Sequence, residues 1–88
     1  RTVAKGLACP TGLALVNNTT VLVTEFLSNS LSRVDLTTGQ RTVIAKNLSS
    51  PEGVAYHADG IAVVAETGTQ SVRAIDLNTG KSLTLKQN

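Results

Sequence analysis

Along this chain, short stretches in which apolar and polar residues alternate, or in which β-branched residues run together, recur between clusters of Asn, Asp, Gly and Thr. A period of two puts successive side chains on opposite faces of a strand, and the wider spacing of an amphipathic helix is not found. The pattern predicts strands over residues 3–5, 12–16, 21–25, 31–35, 41–46, 53–57, 61–66, 72–76 and 82–86. Segments 17–19, 37–39, 58–60 and 78–80 separate many of them, and there Asn or Gly supplies the positive φ that tight hairpins demand. The expected fold is all-β, built from antiparallel meanders.

Sliding the sequence against itself by 41 positions aligns 1–47 with 42–88 without a gap, and 14 of the 47 pairs are identical, among them Pro10/Pro51, Gly12/Gly53, Glu25/Glu66, Asp35/Asp76 and Gly39/Gly80. The chain is therefore two copies of one unit. A period of about 40–45 residues is the size of one four-stranded propeller blade. With strands named A to D from the Pro-x-Gly onward, the order is D, ABCD, ABCD: residues 1–9 give the outer strand of a preceding blade, 10–49 blade one and 50–88 blade two. Strand A has few charges and suits the inner position. Strand B is the most apolar, as expected of a strand covered on both faces, and D carries the Lys, Arg and Thr of a solvent-facing edge.

The motifs Cys9-Pro10-Thr11-Gly12-Leu13-Ala14, Val23-Thr24-Glu25 and Ser30-Leu31-Ser32-Arg33-Val34-Asp35-Leu36-Thr37-Thr38-Gly39 return as Ser50-Pro51-Glu52-Gly53-Val54-Ala55, Val64-Ala65-Glu66 and Ser71-Val72-Arg73-Ala74-Ile75-Asp76-Leu77-Asn78-Thr79-Gly80. In these residues the chain resembles the NHL-repeat and gluconolactonase-like (senescence-marker, strictosidine-synthase-like) six-bladed β-propeller superfamily. The resemblance implies two blades of a six-bladed ring. It does not choose an activity, because the superfamily includes lactonases, other hydrolases, lyases and binding platforms. Its enzymes hold one calcium ion through acidic and amide side chains from different blades. That constellation cannot be placed on this sequence, so no catalytic residue and no metal ligand is carried over.

Composition makes an isolated wedge unfavourable. A chain of 88 residues buries only about 60% of its unfolded surface, and the usual reinforcements are missing: the aromatics are Phe26 and Tyr56, and Cys9 stands alone. Two open blade faces at about 25 cal/mol per Å² represent several kcal/mol of unrealised burial, comparable with the stability of a small domain. The expected partners are other blades of the same propeller, in cis or as a homo-oligomer, with a trimer the form that self-assembly would take. A start at Arg1 fits a segment of a longer polypeptide, and a D strand at each end would leave one outer strand surplus in a closed trimer. The net charge of +2 is spread without a basic run, which argues against nucleic acid. Neither a membrane span nor a signal peptide is visible in the sequence.

If A is innermost, the D–A and B–C loops share one rim and the A–B and C–D turns the other. The first rim receives the candidate ligand contacts Thr11, Glu25, Phe26, Glu52, Glu66, Thr67 and Gln70. Glu25 and Glu66 recur at the end of an apolar strand, which favours a framework role over a catalytic or metal-binding one. Thr11/Glu52 and Phe26/Thr67 differ between copies, and recognition is built where copies differ. Asp35 and Asp76 read as caps of the C–D turns, His57 as a surface residue, Cys9 as an inert thiol and Lys5 and Lys46 as edge guards. Asn17, Asn18 and Asn47 each open an Asn-x-Ser/Thr sequon, which leans toward secretion. The reading that follows is a binding or interaction scaffold without a cofactor. The alternative is part of a metal-dependent gluconolactonase-like hydrolase or a propeller lyase, under which calcium enters with Glu25 or Glu66 in the pocket.

Overall fold

A computed structural model describes residues 10–57 and 59–87. The expected strand over 3–5, the outer strand assigned to 1–9, Lys5, Cys9 and Ala58 lie outside the described residues.

Eight strands follow in chain order: β1 (Pro10–Asn17), β2 (Thr20–Glu25), β3 (Ser30–Asp35), β4 (Arg41–Ala45), β5 (Pro51–His57), β6 (Ile61–Glu66), β7 (Ser71–Asp76) and β8 (Ser82–Gln87). They form two four-stranded antiparallel meanders, β1-β2-β3-β4 and β5-β6-β7-β8. Both β1 and β5 begin at proline, two residues earlier than the alternation predicts. The first position of a strand tolerates proline because no ladder N–H is lost there, and each ladder shifts register between the proline and the following glycine.

The tight turns explain why the same residues recur. Asp35 Oδ1 accepts the Thr37 and Thr38 amides at 2.7 and 3.3 Å, and Asp76 Oδ1 accepts those of Asn78 and Thr79 at 2.8 and 3.3 Å. The chain then reverses through Gly39 and Gly80 at φ 78° and 77°, a conformation that costs glycine nothing. These are the Asx caps the sequence predicts.

The main core lies between the two sheets. Leu22, Leu31, Leu48, Ala62, Val64 and Ile75 are buried together, with Val54 and Tyr56 of β5 packed against them. A second, smaller cluster of Val21, Val23 and Val34 occupies the other face of the first sheet. On that same face Leu13 and Leu15, which pair with Val23 and Val21, are 69% and 60% exposed. Leu83 and Leu85 at the outer edge of the second sheet are similarly open. The interior is therefore a seam between two sheets, each with a further apolar face turned away from it.

The inner edges of the sheets meet closely. Thr11 Oγ1 donates to the Pro51 carbonyl at 3.0 Å, and Thr24 Oγ1 donates to the Glu52 carbonyl at 3.2 Å. Gly12 sits at this crossing, where a Cβ would fall 2.7 Å from Thr24 Oγ1 and overlap the Glu52 carbonyl oxygen. The Pro-x-Gly glycine is thus required by the approach of a neighbouring main chain.

Candidate functional site

The two rims are sorted as the strand order predicts. On one, the linker between the sheets meets the turns after β2 and β6: the Leu48 amide donates to the Asn29 carbonyl at 2.8 Å, and the Thr67 and Gly68 amides donate to the Ser50 and Ser49 carbonyls, each at 3.1 Å. On the other, the Leu36 and Leu77 amides donate to the Thr19 and Gly60 carbonyls.

Both recurring glutamates end an apolar strand on the first rim and are fully buried. Burying a carboxylate is costly unless it is paired and hydrogen-bonded, and each one is. Glu66 Oε1 accepts Arg73 Nε at 2.7 Å and Ser71 Oγ at 3.3 Å, while Oε2 accepts the Ser49 amide at 2.7 Å. Glu25 Oε1 accepts Arg41 Nη1 at 2.7 Å, and Oε2 accepts the hydroxyls of Ser30 and Ser32. Among the described residues no buried side-chain nitrogen or oxygen lacks a partner.

The two networks are built from the same parts in exchanged positions. Ser32 on β3 corresponds to Arg73 on β7, and Arg41 on β4 corresponds to Ser82 on β8. Among the described residues each glutamate therefore meets an arginine, from the fourth strand in the first sheet and from the third in the second. In the second sheet Arg73 Nη1 also donates to Ser82 Oγ at 3.1 Å, which joins the exchanged pair. Sequence comparison of the copies shows two mismatches here, and only the strand register reveals that they compensate.

The remaining candidates separate by what they touch. Thr11 uses its hydroxyl on the Pro51 carbonyl and lies 3.3 Å from Thr24 Oγ1, so it fastens one sheet to the other. Glu52 and Thr67 come together on the exposed rim, with Thr67 Oγ1 donating to Glu52 Oε2 at 3.1 Å and to the Ser50 carbonyl at 3.0 Å. Phe26 is exposed at the start of the turn after β2. Gln70 occupies the equivalent turn after β6 with φ 53°, as Asn29 does with φ 51°. Left-handed backbone disfavours glutamine and suits asparagine. Gln70→Asn is expected to stabilise the chain, within the roughly 0.5 kcal/mol range of surface substitutions, read as a rise in the urea midpoint.

His57 is exposed beside Asp59, with Nδ1 and Oδ2 3.6 Å apart at the opposite rim. Asn17 Oδ1 accepts both the amide and the hydroxyl of Thr19, at 2.9 and 3.0 Å, within the first sequon. Among the described residues no group of three or more His, Cys, Asp or Glu is placed to hold a metal ion, and no helix is long and apolar enough to cross a membrane.

No protein-family model matches this chain, and no curated protein matches it by sequence. Solved structures do. A chain of the Nidogen/Laminin complex superposes with a TM-score of 0.82 at 22% identity, over 90% of this chain and 31% of that one. The PQQ-bound aldose sugar dehydrogenase of Streptomyces coelicolor superposes at 0.83 with 23% identity, over 100% of this chain and 33% of that one. The chain thus spans about a third of each. With the two four-stranded meanders, these likenesses show the fold: the molecule is a pair of adjacent β-propeller blades.

Proposed function

We propose that this blade pair is a binding module of the NHL-repeat and gluconolactonase-like kind. Its first rim takes a protein, glycan or small molecule, and its flanks are completed by further blades, in cis or by self-association into a trimer. One observation carries the reading. The carboxylates common to both blades are consumed by arginine, serine and main-chain partners, whereas exposed Phe26, Glu52 and Thr67 differ between the copies. The repeating positions build the scaffold, and the non-repeating ones are left for recognition.

Thermal melting tests this. Millimolar calcium is expected to leave Tm unchanged, and Phe26→Ala and Glu52→Ala are each expected to alter stability by no more than about 0.5 kcal/mol, as for surface residues outside the framework. A calcium ion bound at a hundredfold excess over its Kd would add about 2.7 kcal/mol. At about 4–8 °C per kcal/mol for a domain of this size, that is a rise of at least about 10 °C. Such a rise would overturn the scaffold reading in favour of a metal-dependent hydrolase or lyase.

A further inference from the structure

We infer that the outward face of the second blade docks onto the outward face of the first blade of another copy of this chain, head to tail. The inference deepens the scaffold reading, and rests on it, by naming what covers the flanks.

The repeat specifies both halves of the joint. Within the chain, the first blade offers Leu22, Leu31 and Ile44 to the seam and the second answers with Val54, Tyr56, Ala62, Val64 and Ile75. Shifted by 41 residues, the first set becomes Val63, Val72 and Leu85 on the second blade's outward face. Shifted back, the second set becomes Leu13, Leu15, Val21, Val23 and Val34 on the first blade's outward face. Each open face thus repeats the apolar centre of one half of the interface already built, while Val16 and Ala45, which also pack on the seam, correspond to His57 and Lys86. The volumes agree as well. Large Leu22 shares the internal seam with small Ala62, and the corresponding pair across the proposed joint is Val63 with Val21, which divides the same bulk evenly.

Gly53 supplies an independent sign. Its counterpart Gly12 is glycine because a neighbouring main chain leaves no room for a Cβ. A Cβ on Gly53 would meet only Ala65 Cβ at 3.8 Å, and Gly53 has no positive φ to explain it. Glycine inside a strand marks a bulge or a close backbone approach. The register shift at Pro51/Gly53 is shared with Pro10/Gly12, and at Gly12 the approach accompanies it. The approaching backbone is the inner strand β1 of the next copy. Six blades, the number the family resemblance implies, take three copies of a blade pair, and a heterologous joint that closes gives cyclic symmetry.

The test is mass by light scattering of the 88-residue chain and two variants. Wild type is expected at about 27 kDa, three times the 9.1 kDa chain. Gly53→Ala blocks the tail face and Leu15→Asp blocks the head face. Each alone should weaken association by roughly tenfold or more and run at 9.1 kDa, with β-sheet circular dichroism retained. Mixed, the two variants still offer one intact head and one intact tail, and should form a 1:1 dimer. A Gly53→Ala variant that assembles like wild type, or a mixture that stays monomeric, overturns the joint. A monomeric wild type that binds a dye for exposed apolar surface also overturns it, while leaving the wedge reading standing. A monomeric wild type that binds no such dye overturns both.

Discussion

Arg73→Ser is expected to cost about 3–5 kcal/mol, and adding Ser82→Arg to recover most of the loss. The Glu66 carboxylate is fully buried, and Arg73 is its cationic partner at 2.7 Å. Removing the guanidinium leaves a desolvated charge with hydroxyl and amide donors alone, which is what makes breaking a buried pair expensive. An 88-residue domain has a total stability of roughly 4–13 kcal/mol, so the single variant sits at the edge of folding. The double variant reproduces the first blade, where Ser32 and Arg41 serve Glu25 from the exchanged strands. Urea denaturation of the two variants and wild type measures the recovery. If the double variant is no more stable than Arg73→Ser, the two networks are not equivalent.

Gly12→Ala is the second large effect, about 3 kcal/mol, from forcing a methyl group against main chain. The atoms it meets are the Glu52 carbonyl oxygen and the hydroxyl of buried Thr24. Neither is the far end of a flexible side chain, so relief requires the inner strands to separate. That separation weakens the bonds from Thr11 to Pro51 and from Thr24 to Glu52. Gly53→Ala, by contrast, should change stability by no more than about 1 kcal/mol when measured in the Leu15→Asp background, where copies do not associate. Denaturation midpoints of the pair compare two glycines of one motif, one with a neighbouring strand pressed against it and one without. Equal losses at both sites would mean that the close approach is not what demands glycine.

Much of the fold was legible because strands and turns are local. Period-two alternation and the Asn/Gly punctuation located all eight described strands to within two residues at either end, and the 41-residue offset grouped them into two meanders. The expected rims follow from strand order alone, and the bonds between the 46–50 linker and the turns after β2 and β6 agree with them. What could not be read is whatever depends on register between strands or contact between blades. Ser32/Arg73 and Arg41/Ser82 align as unrelated substitutions, and their compensation appears only once β3 and β4 are seen side by side. Thr11 differs from its counterpart Glu52, and a difference between copies at a rim marks a residue for recognition. Its hydroxyl instead joins the Pro51 carbonyl, a partner that belongs to the neighbouring blade and not to its own. Two copies differ for reasons of packing as well as of recognition, and sequence comparison does not separate the two causes.

The short peptide between the blades is held from both sides, by Asn29 behind it and by the Glu66 carboxylate and the 67–68 amides ahead. Its length consequently fixes the pitch at which one wedge follows another, and a single inserted residue there would spoil closure of any ring. Among the described residues, the bonds of the hairpin at 18–19 on the opposite rim stay within its own blade. Foreign loops grafted at that hairpin would leave the angular spacing untouched, so the molecule offers one edge that keeps count and another that is free to be decorated.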